Sequence, residues 1–259
     1  MIRVVSEPQT PLLVSVPHAG TQVPAECQGE EAPWRCLPDT DWHVDRLVDE
    51  LAGPGAGIQV AELSRYVIDL NRPPDNAPLY SGAGTGLVPL ECFDGTPLYQ
   101  PQSLPDQIEV QRRLEEYWLP YHQRLASTLE GLRDRHGHAV LLDAHSIASR
   151  VPRLFEGRLP DLNLGFNQGK SCSPSLQSAI TELLSDQKRF SWVVDGRFKG
   201  GYITRHYGQP AQGLHALQLE ISQACYLDED QPQQFDEQRA ADLRELVLAL
   251  GRCLMDWRP

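Results

Sequence analysis

Nowhere in the sequence do apolar residues run on for the ~18 positions that a membrane-spanning helix requires. The opening stretch MIRVVSEPQTPLLVSV lacks a charged start followed by a long apolar segment, so no signal peptide and no membrane association are expected. Basic clusters long enough to follow a phosphate backbone are missing, and the formal net charge is −12. Both features argue against nucleic acid and against an anionic membrane surface. They leave room for a small anionic substrate, because a few local arginines can dominate a pocket in an acidic protein. The six cysteines, at 27, 36, 92, 172, 225 and 253, form no CxxC pair and keep no regular spacing. That pattern argues against a thiolate zinc site and a disulfide framework, and it fits reduced thiols in a cytoplasmic protein. HExxH, P-loop, GxSxG and GxGxxG patterns are all absent, which removes sequence support for the common protease, NTPase and dinucleotide readings. No Gly/Ser-rich linker or charge run divides the 259 residues, so 1–259 is read as a single domain.

What is present is an alternation of short apolar runs and helical patterns. Residues 11–16 make a buried strand that stops at the turn Pro17-His18-Ala19-Gly20. A helix capped by Asp39 or Thr40 is expected through about residue 51, with Val44, Leu47, Val48 and Leu51 at helical spacing. Strands are expected over 58–63 and 66–70, the second running into Asn71-Arg72-Pro73-Pro74, which continues neither a helix nor a central strand. Residues 73–105, rich in Gly and Pro, read as a long ordered excursion of the kind that serves as a lid or site wall. The clearest amphipathic helix covers 108–135, bent or broken near Pro120. A strand over 139–142 opens into Asp143-Ala144-His145-Ser146, and a polar loop over 149–168 leads to a helix at 174–184. Strands at 190–194 and 217–221 and a helix over 233–257 complete the chain. The pattern predicts an α/β fold with a mixed, mostly parallel sheet flanked by helices on both faces. In such sheets ligands gather at the carboxyl ends of the strands.

His18, Asn71-Arg72 and Asp143/His145 all fall just past expected strand ends. Aspartate and histidine are costly at the end of a buried strand unless paired or coordinated. A turn histidine satisfied by a carbonyl is the plainer account of His18 taken alone. The segment Asp39-Thr40-Asp41-Trp42-His43-Val44-Asp45 offers three carboxylates and an imidazole, though helix capping explains much of it. Two imidazoles, one carboxylate and a water make a familiar catalytic zinc arrangement. Glu220 interrupts the apolar run Leu217–Ile221, and burial there would raise its pKa towards that of a general base. An exposed edge position beside Gln218 is the alternative. Arg72 sits in a stiff loop from which it can fork onto a substrate carboxylate, or bridge to Asp69 or Asp75. Arg205, His206 and Tyr207 lie on a Gly-flanked loop. His136 and His138 are explained by a helix C-terminus at Gly137, and His122 is expected on a helix surface.

Taken in order, the segments SVPHAG, DTDWHVDRL, SRYVIDLNRPP, TGLVP, FDGTPLY, YHQRL, LLDAHSI, GGYITRHYG and LQLEIS resemble the N-formylglutamate amidohydrolases, or deformylases. The matches run from about residue 12 to 222, and it is the ordered set that is specific. The resemblance implies a fold akin to zinc-dependent carboxypeptidases, one bound zinc ion, and hydrolysis of N-formyl-L-glutamate to formate and L-glutamate in histidine breakdown. It implies His18, Asp41 and His145 as metal ligands and Glu220 and Arg72 as catalytic residues, Glu220 being the base. Asn71 and Arg72 would hold one substrate carboxylate and Arg205 the other, with His206 and Tyr207 beside it. Those peptidases place their first two ligands as HxxE, whereas His18-Ala19-Gly20-Thr21 has no acid at that spacing. The carboxylate then comes from elsewhere, from Asp41 or its rivals Asp39 and His43. A related metal-dependent N-acyl amino acid amidase, a carboxypeptidase-like hydrolase and a non-catalytic dicarboxylate-binding protein remain as alternatives.

Overall fold

The computed structural model describes residues 2–29, 31–79 and 84–259. Its strands are β1 (Ile2–Ser6), β2 (Leu12–Val16), β3 (Gly57–Ala61), β4 (Ala139–Ile147), β5 (Leu162–Gly165), β6 (Trp192–Val194) and β7 (Leu214–Ser222). They form one sheet in the order β1-β3-β2-β4-β7-β5-β6. The pairs β3/β2, β2/β4, β4/β7 and β5/β6 are parallel, and β1/β3 and β7/β5 are antiparallel. This is the mixed, mostly parallel sheet that the alternating pattern predicts. The helices are α1 (Pro33–Cys36), α2 (Val44–Val48), α3 (Gln107–Arg113), α4 (Leu119–His136), α5 (Pro174–Asp186), α6 (Tyr202–Tyr207) and α7 (Glu237–Asp256).

Side chains alternate across a strand, and here the two faces bury different things. On one face Leu12, Val14, Val140, Leu142, Leu217 and Leu219 pack with residues of α2, α5 and α7. On the other, Leu13, Ala139, Leu141 and Ala216 pack with Tyr121, Leu125, Leu129 and Leu132 of α4. Further along this second face the apolar series gives way to Asp143 and His145 on β4 and to Gln218 and Glu220 on β7. Parallel pairing sets Asp143 beside Gln218 and His145 beside Glu220. The sheet register therefore juxtaposes four polar side chains at the carboxyl ends of its two central strands.

Several expected elements differ. The run 66–70 is a turn-rich, buried segment rather than a strand. An extended chain would separate the Cα atoms of Arg65 and Asp69 by ~13 Å, whereas the turns let Arg65 Nη2 reach Asp69 Oδ2 at 2.7 Å. The run is apolar because α4 and the 87–99 segment cover it. The helix after residue 39 starts only at Val44, because His43 adopts a left-handed conformation (φ 60°), and neither Asp39 nor Thr40 caps it. The long helix runs on past Pro120 through a π turn, Leu114–Trp118, which precedes the proline and absorbs its missing N–H. Asp143 and His145 lie within β4, not beyond it. Strand β5 lies inside the expected polar loop, β1 adds an unexpected antiparallel edge, and 202–207 is helical rather than a loop. Gly137 does end α4 in the left-handed conformation. Tyr80 to Ala83, part of the long 73–105 excursion, lie outside the described residues.

Candidate metal centre and cleft

His18 follows β2 by two residues, and the turn behind it is closed by glycine. A Cβ on Gly20 would meet the backbone of Glu62 and Leu63 at 2.4 Å, so only glycine lets the chain turn here. The Asp41 amide donates to the His18 carbonyl at 3.1 Å, which brings the two side chains together despite 23 residues of separation. His145 arrives from β4. Donor atoms of His18, Asp41 and His145 lie within 4.8 Å of one another, and among the described residues they are the group able to hold a metal ion. Asp41 Oδ2 is 3.0 Å from His145 Nδ1 and 3.7 Å from His18 Nδ1. The rival third ligands are turned elsewhere. Asp39 accepts from the Phe93 amide at 2.8 Å, and His43 Nε2 lies 3.1 Å from the Pro232 carbonyl.

The residues fit a divalent ion on three physical grounds. His18 Nδ1 is buried without a hydrogen-bond partner, an expensive condition for a ring nitrogen unless something else engages it. Each imidazole is held at its far nitrogen by a carboxylate, His18 Nε2 by Asp69 Oδ1 at 2.8 Å and His145 Nε2 by Asp143 Oδ2 at 3.0 Å. That second contact fixes the ring and aims Nδ1 inward, the usual support of a metal-bound histidine. Finally, Asp41, Asp69, Asp143 and Glu220 are all at most 6% exposed, and the buried Arg65 pairs with only the first two. Buried carboxylates demand compensating positive charge.

The titration shifts express this crowding. Burial alone raises Asp41, but the hydrogen bond from His145 and the nearby His18 imidazole outweigh it and hold the carboxyl below its ordinary value. Burial likewise opposes ionisation of Asp69, and the charges of His18 and Arg65 overcome it. Glu220 goes the other way. Burial pushes its carboxyl up to about 8, with His145 opposing and the Asp41 charge adding to the rise.

Glu220, Asn71, Arg72, Arg65, Arg197 and Gln218 share with the three candidate ligands the wall of one cleft. Gln218 Nε2 donates to Glu220 Oε2 at 2.9 Å, and its Oε1 accepts from the Gly201 amide at 2.7 Å. Asn71 Nδ2 lies 3.1 Å from Asp143 Oδ2 and 2.9 Å from His145 Nε2, while its Oδ1 accepts from the Ile203 amide. With His145 Nδ1 committed to an ion, its Nε2–H and the Asn71 amide both donate to Asp143. Arg72 bridges to neither Asp69 nor Asp75; it donates to the Thr85 carbonyl at 2.8 Å and to the Asn71 carbonyl at 3.1 Å.

Arg205, His206 and Tyr207 do not line this cleft. Because 202–207 is a helix, it turns Ile203 and Tyr207 into the core and Arg205 and His206 away from it. Arg205 donates to the Gly200 and Leu79 carbonyls, His206 stacks on Tyr202, and the Tyr207 hydroxyl donates to the His122 carbonyl. His122 is buried, not on the surface, with Nε2 2.9 Å from the Leu70 carbonyl. Burial pulls its pKa down to about 3. The residue-by-residue reading passed over Arg65, Asp69, Gln218 and Arg197 as site residues. A charged pair four apart inside the apolar run 64–70 was the available signal for the first two. Gln218, two residues from Glu220, shares its strand face; Arg197 carries no local signal.

Residues 10–227 match the N-formylglutamate amidohydrolase family. The chain belongs to that family. A family member named N-formylglutamate deformylase, from Pseudomonas aeruginosa, is 48% identical over 250 residues, covering 96% of this chain and 94% of its own length. The deformylase of Pseudomonas putida is 46% identical over 250 residues, covering 95% and 93%. The crystal structure of an N-formylglutamate amidohydrolase from Ralstonia eutropha superposes with a TM-score of 0.84 at 28% identity, over 98% of each chain. A solved protein from Agrobacterium tumefaciens shares the amidohydrolase fold, with a TM-score of 0.70 at 20% identity over 98% of this chain.

Proposed function

We propose that this chain hydrolyses the formamide bond of N-formyl-L-glutamate to formate and L-glutamate, as a metal-dependent cytoplasmic enzyme of histidine degradation. The observation that carries the reading is the 48% identity, across nearly the whole chain, to a protein named for that reaction. The cleft supplies the residues such a hydrolysis needs.

His18, Asp41 and His145 would hold one zinc ion. A zinc ion in such a site supplies Lewis acidity and acidifies a bound water. Glu220, whose burial raises its pKa and so makes its carboxylate a stronger base, would take a proton from the attacking water and return it to the nitrogen of the departing glutamate. Gln218 fixes the Glu220 carboxylate for that transfer. Arg72, its guanidinium held by Thr85 and Asn71, clamps one carboxylate of the substrate and orients the formamide. Arg65 holds Asp41 and Asp69 in place through its two Nη atoms.

The test combines metal content with formate release. Purified protein is expected to contain about one equivalent of zinc, to lose N-formylglutamate hydrolysis on chelation and to regain it with zinc. Glu220→Gln should lower kcat by roughly 10²–10⁴-fold while keeping its metal. Hydrolysis indifferent to chelation, or near-normal turnover in Glu220→Gln, would overturn the mechanism. Faster hydrolysis of acetyl- or succinyl-glutamate than of formyl-glutamate would overturn the substrate.

A further inference from the structure

Asn71 stands beside Arg72 at the cleft, yet it is 3% exposed and each of its polar atoms has a partner inside the protein. Its backbone amide donates to Asp69 Oδ1 at 2.8 Å, the same oxygen that lies 2.8 Å from His18 Nε2. Its side-chain Nδ2 lies 3.1 Å from Asp143 Oδ2, the same oxygen that lies 3.0 Å from His145 Nε2. One residue thus meets the carboxylate behind each candidate imidazole ligand, with its main chain on one side and its side chain on the other. The two rings it spans have centroids 4.9 Å apart.

The orientation of the amide follows from its neighbours. The Ile203 backbone amide can only donate, so the side-chain atom 2.8 Å from it is the carbonyl oxygen, and Nδ2 faces the Asp143 carboxylate. The space is cut to fit, since a Cβ on Gly201 would lie 2.4 Å from Nδ2 and 2.5 Å from Oδ1. The Asn71 carbonyl accepts from the Tyr202 amide at 3.3 Å and from Arg72 Nη1 at 3.1 Å. Asp143 depends on this arrangement. It is fully buried, its Oδ1 has no hydrogen-bond partner, and the contacts from His145 and Asn71 meet at Oδ2. Turning Nδ2 towards a substrate carboxylate would take a donor from a buried carboxylate, a costly exchange.

We propose that Asn71 is a positioning residue. It steadies Asp143 behind His145 and ties that pair to the Asp69–His18 pair, so that the two imidazoles are presented at a fixed separation. It does not bind the substrate, as its place in the Asn-Arg pair implies. This role rests on the metal-dependent reading of the site.

The experiment follows zinc affinity, by competition with a chromogenic chelator, in the wild type, Asn71→Ala, Asp143→Ala and the double variant. In parallel, kcat and KM on N-formyl-L-glutamate are measured at saturating zinc. Asn71→Ala is expected to lose about 10–100-fold in zinc affinity and to lose kcat with KM little changed. Because Asn71 acts through Asp143, the double variant should bind zinc about as weakly as Asp143→Ala alone, not more weakly by the product of the two losses. Circular dichroism reads the fold. Should Asn71→Ala not fold, Asn71→Ser, which leaves a hydroxyl in the space, takes its place in the cycle. Unaltered zinc affinity with a raised KM would assign Asn71 to substrate binding and overturn this role, as would losses that multiply in the double variant. A wild type that binds zinc yet leaves N-formyl-L-glutamate intact would end the deformylase reading alone, and the zinc cycle would still decide on Asn71. A wild type that binds no zinc would overturn the metal reading and this role together.

Discussion

Each imidazole of the candidate centre is held at Nε2 by a carboxylate, and the carboxylate behind each ring matters as much as the ring. Asp69 illustrates this. It accepts from His18 Nε2, from Arg65 and from the Asn71 amide, so a single buried side chain orients a candidate ligand, a cation and the start of the Asn-Arg pair. Asp69→Asn keeps the shape but removes the charge that sets the His18 proton on Nε2. We expect zinc affinity to fall by about 10–100-fold, read by competition with a chromogenic chelator, with the fold retained by circular dichroism. Unaltered affinity would mean that His18 does not depend on Asp69 for its orientation. Neighbouring residues show why such partners are hard to read in advance. His18 and His145 stand out as polar interruptions of apolar runs, whereas Arg65 and Asp69 look like an ordinary surface pair until the turn at 64–69 buries them.

At the scale of elements, the π turn ahead of Pro120 has a consequence for the cleft. Trp118, its last residue, donates from Nε1 to the Arg72 carbonyl at 3.0 Å. One helical turn on, His122 holds the Leu70 carbonyl, and the two rings stack at 3.7 Å between centroids. The long helix thereby grips the backbone on both sides of Asn71. In a regular helix Trp118 would lie about 100° further round the axis, away from this segment. Trp118→Phe removes one buried hydrogen bond, worth about 0.5–1.5 kcal/mol, and leaves the Arg72 carbonyl unpaired. Steady-state kinetics should show KM for N-formylglutamate raised by roughly 2–10-fold, with metal content unchanged and kcat less affected. A fall confined to kcat would refute this positioning role.

For the molecule as a whole, the buried histidines set a limit on acid stability. His122 has a folded pKa of about 3, against an ordinary value of 6.5. Above pH 6.5 it is neutral in both states and its stabilising contribution is complete. Below that, the unfolded chain takes up a proton that the folded chain refuses, so stability falls with pH until the folded pKa is passed. Between pH 6.5 and 5 the loss from this group is about 2 kcal/mol. Urea unfolding at the two pH values should therefore show a smaller acid loss in His122→Phe than in the wild type, even though the variant is less stable at neutral pH. Equal slopes would place the titration elsewhere.

The alternation of short apolar runs with amphipathic helices determined the class of fold, because burying a parallel sheet on both faces requires that pattern locally. His18, His145 and Glu220 could be singled out from local sequence because a polar group in an apolar run is costly unless it has a use. Tertiary structure alone decided which groups meet. The Asp41–His18 contact depends on a backbone hydrogen bond across 23 residues, and the His145–Glu220 neighbourhood on a strand register between segments 75 residues apart. The absence of Arg205 from the cleft wall turned on whether 202–207 forms a loop or a helix, a choice settled by burial of Ile203 and Tyr207 against the core. Local composition at Gly-flanked positions does not encode that burial.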